Sequence, residues 1–181
     1  MRLYNFNTAL YIARLQAGSK YDGLLKIGIS NDIERRAKEI GNVGMEYKGE
    51  YKAPRALVMA TEMLAHAFAY RKVGRPNNYR QALPVRSGSS EFFKTENIRQ
   101  ARGFISAAKT RINYLADEHG YNPFLFDDDE KEQLTANLKD LIAAVIQYVK
   151  KIFKAMKKRL PKSFNMEIVR INQTLAQEAG A

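Results

Sequence analysis

The chain has no cysteine. That excludes a disulfide scaffold, a thiol nucleophile, a cysteine-ligated zinc site and an iron–sulfur cluster. It has two histidines, His66 and His119, too few for a metal cage built on imidazoles. No apolar run approaches the roughly 18 residues a membrane span requires. The stretch from Met1 to Asn7 holds no apolar segment ahead of a small-residue cleavage site, so no secretory signal is expected and a cytoplasmic location is. Acidic residues are also scarce: 19 Asp and Glu face 30 Lys and Arg, a net charge of +11 over 181 residues. What is present is enough apolar material for a packed core, 45% of the chain, which excludes global disorder.

The charge excess points to an anionic partner, nucleic acid ahead of an anionic membrane surface. Residues 1–120 carry 20 basic and 11 acidic side chains, whereas residues 121–181 carry 10 and 8. Two stretches lack acids. Arg71, Lys72, Arg75, Arg80 and Arg86 occupy one of them, together with Tyr79 and the turn residues Gly74, Pro76, Asn77 and Asn78. Lys150, Lys151, Lys154, Lys157 and Lys158 occupy the other, which runs on to Lys162. Either stretch alone is what a solvated face looks like. The two together are expected to contact a DNA backbone.

Hydropathy patterning predicts an α/β protein. Thr8 to Leu15 and Leu24 to Ile29 read as strands of a hairpin around the turn residues Ala17 to Gly23. Ser30, Asn31 and Asp32 offer capping oxygens to a short helix, Ile33 to Ile40, which Gly41 ends. Met45 to Tyr51 reads as a third strand. Pro54 starts a helix that continues to about Lys72. Glu91 to Lys94 reads as a further short strand. Thr95 is placed to cap a helix whose stripe is Ile98, Ala101, Ile105, Ala108, Ile112 and Leu115, with Gly120 as its stop and His119 at its C-terminal end. The expected core is thus a small three-stranded mixed or antiparallel sheet flanked by helices, over residues 1–120, followed by a helical extension over 121–181.

Four features fall in order along the first domain: a strand tyrosine (Tyr11), a strand ending Lys26-Ile27-Gly28, a helical arginine (Arg36, beside Arg35), and a helix bearing Glu62 and His66 at i, i+4. That last spacing puts carboxylate and imidazole on one helical face. Together with Ala9-Leu10-Tyr11 and Glu91-Phe92-Phe93, these segments resemble a GIY-YIG nuclease domain, most closely its T5orf172 branch, in which an Arg follows the Gly by eight residues as Arg36 follows Gly28. The resemblance covers about residues 8–100. Ala9 stands where the family has its first Gly, Lys26 where the wider family has its second Tyr, and the family's late Asn is not evident. The resemblance implies a metal-dependent endonuclease acting on DNA with Mg²⁺ or Mn²⁺ and leaving 3′-hydroxyl ends. Its site would be Tyr11, Lys26, Arg36, Glu62 and His66, with Glu62 as the metal ligand.

Chemistry independent of the resemblance fits these residue types. A phosphodiester is anionic and gains charge on its non-bridging oxygens in the transition state. A hard carboxylate suits a hydrated Mg²⁺, a guanidinium fork suits phosphate, and a phenol beside an ammonium is a candidate base. His66 is placed to orient water or protonate the leaving group. Taken one at a time the residues have plainer explanations. A strand Tyr lies at a core edge, a strand Lys points to solvent, Arg36 belongs to a charged helix face, and a lone His is a satisfied, half-buried one. The alternative reading is a catalytically inactive nucleic-acid-binding or regulatory module on the same fold, and a third is an interaction protein that uses its long helix.

That helix begins at the acidic run Asp127 to Glu130 and runs towards Pro161. Its stripe is Leu134, Leu138, Leu141, Ile142, Val145, Ile146, Val149, Ile152, Phe153 and Met156, wider than a solvated helix needs. Packing within the chain is the default expectation for it. A homodimer through the helix, or a membrane-surface role, are the alternatives. Met166 to Gln177 is expected to form a last short helix.

Overall fold

The computed structural model describes residues 8–16, 24–41, 43–51, 53–75, 92–95, 97–120 and 131–180. Alternating apolar residues form β1 (Ala9–Leu15) and β2 (Leu24–Ser30), which pair antiparallel as the hairpin reading expects. Asp32 caps α1 (Ile33–Ile40) by accepting the Arg35 N–H at 2.9 Å, and Gly41, with φ of +67°, ends it. Then come β3 (Val43–Glu50), α2 (Arg55–Val73), β4 (Phe92–Lys94), α3 (Ile98–Glu118), α4 (Lys131–Ala155) and α5 (Lys162–Gly180).

Among the described residues the sheet has four strands, not three, in the order β3-β1-β2-β4, and every pairing is antiparallel. β4 is only three residues long, too short for a recognisable alternation, yet it buries Phe92 on one face of the sheet and Phe93 on the other. It covers β2 only from Leu24 to Lys26. Beyond that, Ile27 to Ser30 have no outer strand among the described residues, and this short end of the ladder is where the site forms.

The two faces of the sheet are covered differently. Leu10, Ile12, Leu25, Ile27 and Phe93 pack into the main core with α2 and α3. Tyr11, Ala13, Leu15, Leu24 and Phe92 form a smaller cluster with Ile40 of α1. The two-residue period of a strand therefore puts Lys26 and Gly28 on the same face as Tyr11.

Helix α2 is buried nearly all round, as a helix without a polar face must be. Its alanines, Ala56, Ala60, Ala65, Ala67 and Ala69, allow close approach of the sheet and of α3, α4 and α5. On α4 the stripe from Leu138 through Phe153 is buried within the chain, so the surface that a dimer or a membrane would have used is covered in cis. Phe153 meets Tyr70 edge-on at 5.0 Å and Phe164 at 4.9 Å. One apolar cluster runs from Leu10 to Leu175, so the helical extension shares its core with the residues before 120.

Three boundaries differ from expectation. Asn97, not Thr95, caps α3, accepting the Gln100 N–H at 3.1 Å, while Thr95 is buried. Helix α4 stops at Ala155, before Pro161, because Lys157 turns left-handed (φ +56°) and the Lys158 N–H reaches back to the Phe153 carbonyl at 3.0 Å. Pro161 instead opens α5, which is longer than Met166 to Gln177. Gly120 does adopt a positive φ (+64°) after α3. The hairpin turn 17–23, Arg80, Arg86, Glu91 and the run Asp127 to Glu130 lie outside the described residues. No helix among the described residues is long and apolar enough to cross a membrane.

Candidate active site

Tyr11 and Gly28 face each other across β1 and β2. The Tyr11 ring occupies the space where a Gly28 side chain would begin: a Cβ on Gly28 would come within 3.0 Å of Cζ, Oη and Cε1 of that ring. Glycine is therefore needed here for close approach, not for backbone freedom. This gives the Lys-Ile-Gly segment a physical reason. Gly28 holds the phenol down, and Lys26, two residues earlier, lies on the same face beside it.

Tyr11 and Lys26 are each 1% exposed and form the floor of a cleft of about 370 Å³. Burying an ammonium costs several kcal/mol unless it is paired, so Lys26 is not the solvated strand lysine of the plainer reading. Arg36 of α1 forms a wall, hydrogen-bonded to the Tyr11 side chain and donating to Glu39 Oε2 at 3.1 Å. Glu62 of α2 lines the same cleft and lies near enough to Tyr11 to bear on its charge. Helix α2 meets β2 just past the β4 ladder, where His66 contacts the Ile27 carbonyl, one helical turn from Glu62. One stripe of α2, formed by Arg55, Met59 and Glu62, lines the space.

Tyr11, Lys26, Arg36 and Glu62 are thus brought together, and His66 is not. Its Nε2 lies 2.9 Å from the carbonyl of Ile27, one residue past the end of the β4 ladder, and its ring packs on Phe93 at 5.6 Å. A carbonyl only accepts, so Nε2 carries the proton and donates. The i, i+4 spacing does place Glu62 and His66 on one stripe of α2. The imidazole ties that helix to the sheet edge one turn beyond the cleft.

The electrostatics separate the phenol from its neighbours. Burial pushes the Tyr11 pKa above that of an ordinary tyrosine. Lys26 and Arg36 pull against this, and Glu62 adds to it. Tyr11 is therefore a neutral phenol at neutral pH. Burial works against the Arg36 charge, but the Tyr11 and Glu39 contacts outweigh it and hold the pKa above its usual value.

Several lining residues were not picked out from sequence: Ser30, Asn31, Glu39, Arg55, Glu167 and Arg170. Arg55 was within reach, since it is seven residues before Glu62 on the same stripe. Glu167 and Arg170 come from α5, and no local pattern ties them to Tyr11. With them the described lining of the cleft holds five cations (Lys26, Arg35, Arg36, Arg55, Arg170) and three carboxylates (Glu39, Glu62, Glu167), a net of +2. Arg35 is in the cleft, as its pairing with Arg36 suggests.

The other basic residues lie elsewhere. Arg71, Lys72 and Arg75 are exposed at the far end of α2. Arg71 and Lys72 are nine and ten residues past Glu62, about 14–15 Å along the axis. Lys150, Lys151, Lys154, Lys157 and Lys158 are exposed as well, and Lys158 Nζ sits 5.3 Å over the Tyr70 ring. That contact sets the ends of the two acid-free stretches side by side.

Among the described residues no group of three or more His, Asp or Glu side chains is arranged to hold a metal ion. The donor set still fits a hydrated divalent cation. Mg²⁺ keeps several waters and is commonly held by one or two carboxylates plus substrate phosphate, and Glu62 and Glu167 open on the same cleft. No family model matches the chain, and no curated protein or solved structure matches it either.

Proposed function

We propose that the chain is a metal-dependent endonuclease that hydrolyses DNA phosphodiester bonds, with Mg²⁺ or Mn²⁺ held at Glu62. The observation that carries this reading is the convergence of Tyr11, Lys26, Arg36 and Glu62, from four separate elements, on one cleft of net positive charge. The resemblance of the same residues to the GIY-YIG pattern supports it.

The residues divide the work by position. Arg36 presents a fork to the non-bridging oxygens of a phosphate, and Arg35 and Arg55 add charge at the rim. Lys26 supplies a fixed positive charge on the floor, where low solvent access strengthens its effect. Tyr11 would take a proton from the attacking water as the phenolate, after its own proton has passed to solvent. Apart from burial, the Glu62 charge is the one influence that keeps its phenol protonated. A divalent cation held by that carboxylate would offset its charge and act with Lys26 and Arg36 against burial, the largest influence on the phenol. The cation, when bound, offsets the charge that builds on the phosphoryl oxygens.

A second reading, a nucleic-acid-binding module without catalysis, draws on the raised Tyr11 pKa and the small number of acids in the cleft. A supercoiled plasmid separates the two. The endonuclease relaxes or linearises it in Mg²⁺ or Mn²⁺ and stops when EDTA is added. A plasmid that is bound but left intact in every divalent metal tried identifies the binding module.

A further inference from the structure

Helix α5 reaches the cleft although it lies more than 100 residues from Glu62 in sequence. Its place there is well determined. Phe164, Ile171 and Leu175 are buried in the main core. Near its other end, Glu178 accepts the N–H groups of Arg55 at 2.8 Å and Ala56 at 3.2 Å. Those are free donors at the start of α2, where Pro54 has no side chain able to cap them. Core packing and this cap hold α5 against the mouth of the cleft, and Glu167 and Arg170 line it.

We propose that Arg170 is a phosphate-binding residue of the cleft and that α5 forms the wall that grips the nucleic-acid backbone. Arg170 is 62% exposed and meets Glu167 at 3.6 Å, a loose pair between side chains one turn apart. Such exposed pairs contribute little, so a phosphate oxygen entering the cleft can draw the guanidinium off at small cost. Arg170 thereby joins Arg36 of α1 and Arg55 of α2. Each rests on a polar partner of the cleft rim: Glu39 for Arg36, Asn31 for Arg55 and Glu167 for Arg170. Three guanidiniums from three helices suit successive phosphates of one strand. The ligand is then a strand of the backbone and not an isolated phosphomonoester. The assignment rests on the proposed function, but it concerns binding and is tested without cleavage.

The test uses the full chain and a DNA oligonucleotide in EDTA, with affinity measured between about 50 and 200 mM salt. Arg170→Ala is expected to weaken binding at low salt by about tenfold to a hundredfold, the effect of one charged hydrogen bond. It should also flatten the log–log salt slope by about 0.9, one phosphate contact. Arg170→Lys should restore the slope but only part of the affinity, because an ammonium lacks the fork. Glu167→Gln, which frees Arg170, should tighten binding. A merely structural role does not move the slope. If Arg170→Ala proves poorly folded, the lysine and Glu167→Gln variants carry the comparison. Wild-type affinity and slope in Arg170→Ala or Arg170→Lys, with no gain in Glu167→Gln, overturn the assignment while leaving any cleavage by the wild type standing. A slope that depends on Arg170 in a protein that never cuts supports the assignment and overturns the endonuclease. Absence of salt-sensitive binding by the wild type overturns both.

Discussion

Glu62→Ala should lower plasmid cleavage in Mg²⁺ by about 10³-fold or more, roughly 4 kcal/mol of transition-state stabilisation. Two effects add. The variant loses the carboxylate proposed to hold the cation, and a cleft that loses its metal loses the charge compensation that phosphoryl chemistry depends on. Binding should move the other way. Removing one of the three carboxylates raises the cleft charge from +2 to +3, so metal-free affinity for DNA should hold or rise. The split between rate and affinity is the diagnostic feature. Initial rates of conversion of supercoiled plasmid, read beside a binding isotherm in EDTA, measure both. Cleavage within tenfold of wild type would remove Glu62 from the mechanism.

Gly28→Ala is expected to damage both fold and site through a single added methyl group. The added Cβ lands within 3.0 Å of the Tyr11 ring. A surface tyrosine would swing aside at little cost, but Tyr11 is 1% exposed and packs with Ala13, Leu24, Ile40 and Phe92, so yielding would push it into the cleft and out of position. Overpacking of this kind costs about 1–3 kcal/mol of stability. The effect on rate should exceed the effect on the fold, because moving a reacting group by about 1 Å costs about 10²-fold. Urea unfolding and cleavage rates on the same preparation test this. Ala at Gly44, where the near neighbour is the flexible Gln16 side chain, serves as the control. Wild-type activity in Gly28→Ala would mean that the Tyr11 position does not matter.

Much of the site was legible in the sequence because its signals are local. The Ser30-Asn31-Asp32 cap, the strand period of β1 and β2, and the i, i+4 step from Glu62 to His66 each act within a few residues. What was missed depends on contacts between distant segments. Lys26 and a solvated strand lysine look identical in sequence, and only its burial against Tyr11 separates them. Glu62 and His66 share a stripe, but the point where β4 stops decides which faces the cleft and which meets Ile27. β4 itself was too short to count as part of the sheet. The α4 terminus turned on a left-handed Lys157, a conformation that lysine does not advertise. Glu167 and Arg170 gave no signal because the rest of the cleft lining lies more than 100 residues before them, and Glu178 gave none because its partner Arg55 is 123 residues away.

Crystals soaked in Mn²⁺ and measured at the manganese absorption edge test the central claim most directly, since an anomalous signal locates the ion without reference to any activity. The account predicts a peak inside the cleft at the Glu62 carboxylate, bounded by Tyr11, Lys26 and Arg36. Manganese found only at other surface carboxylates, with the Glu62 and Tyr11 side chains opening onto different surfaces, would contradict it.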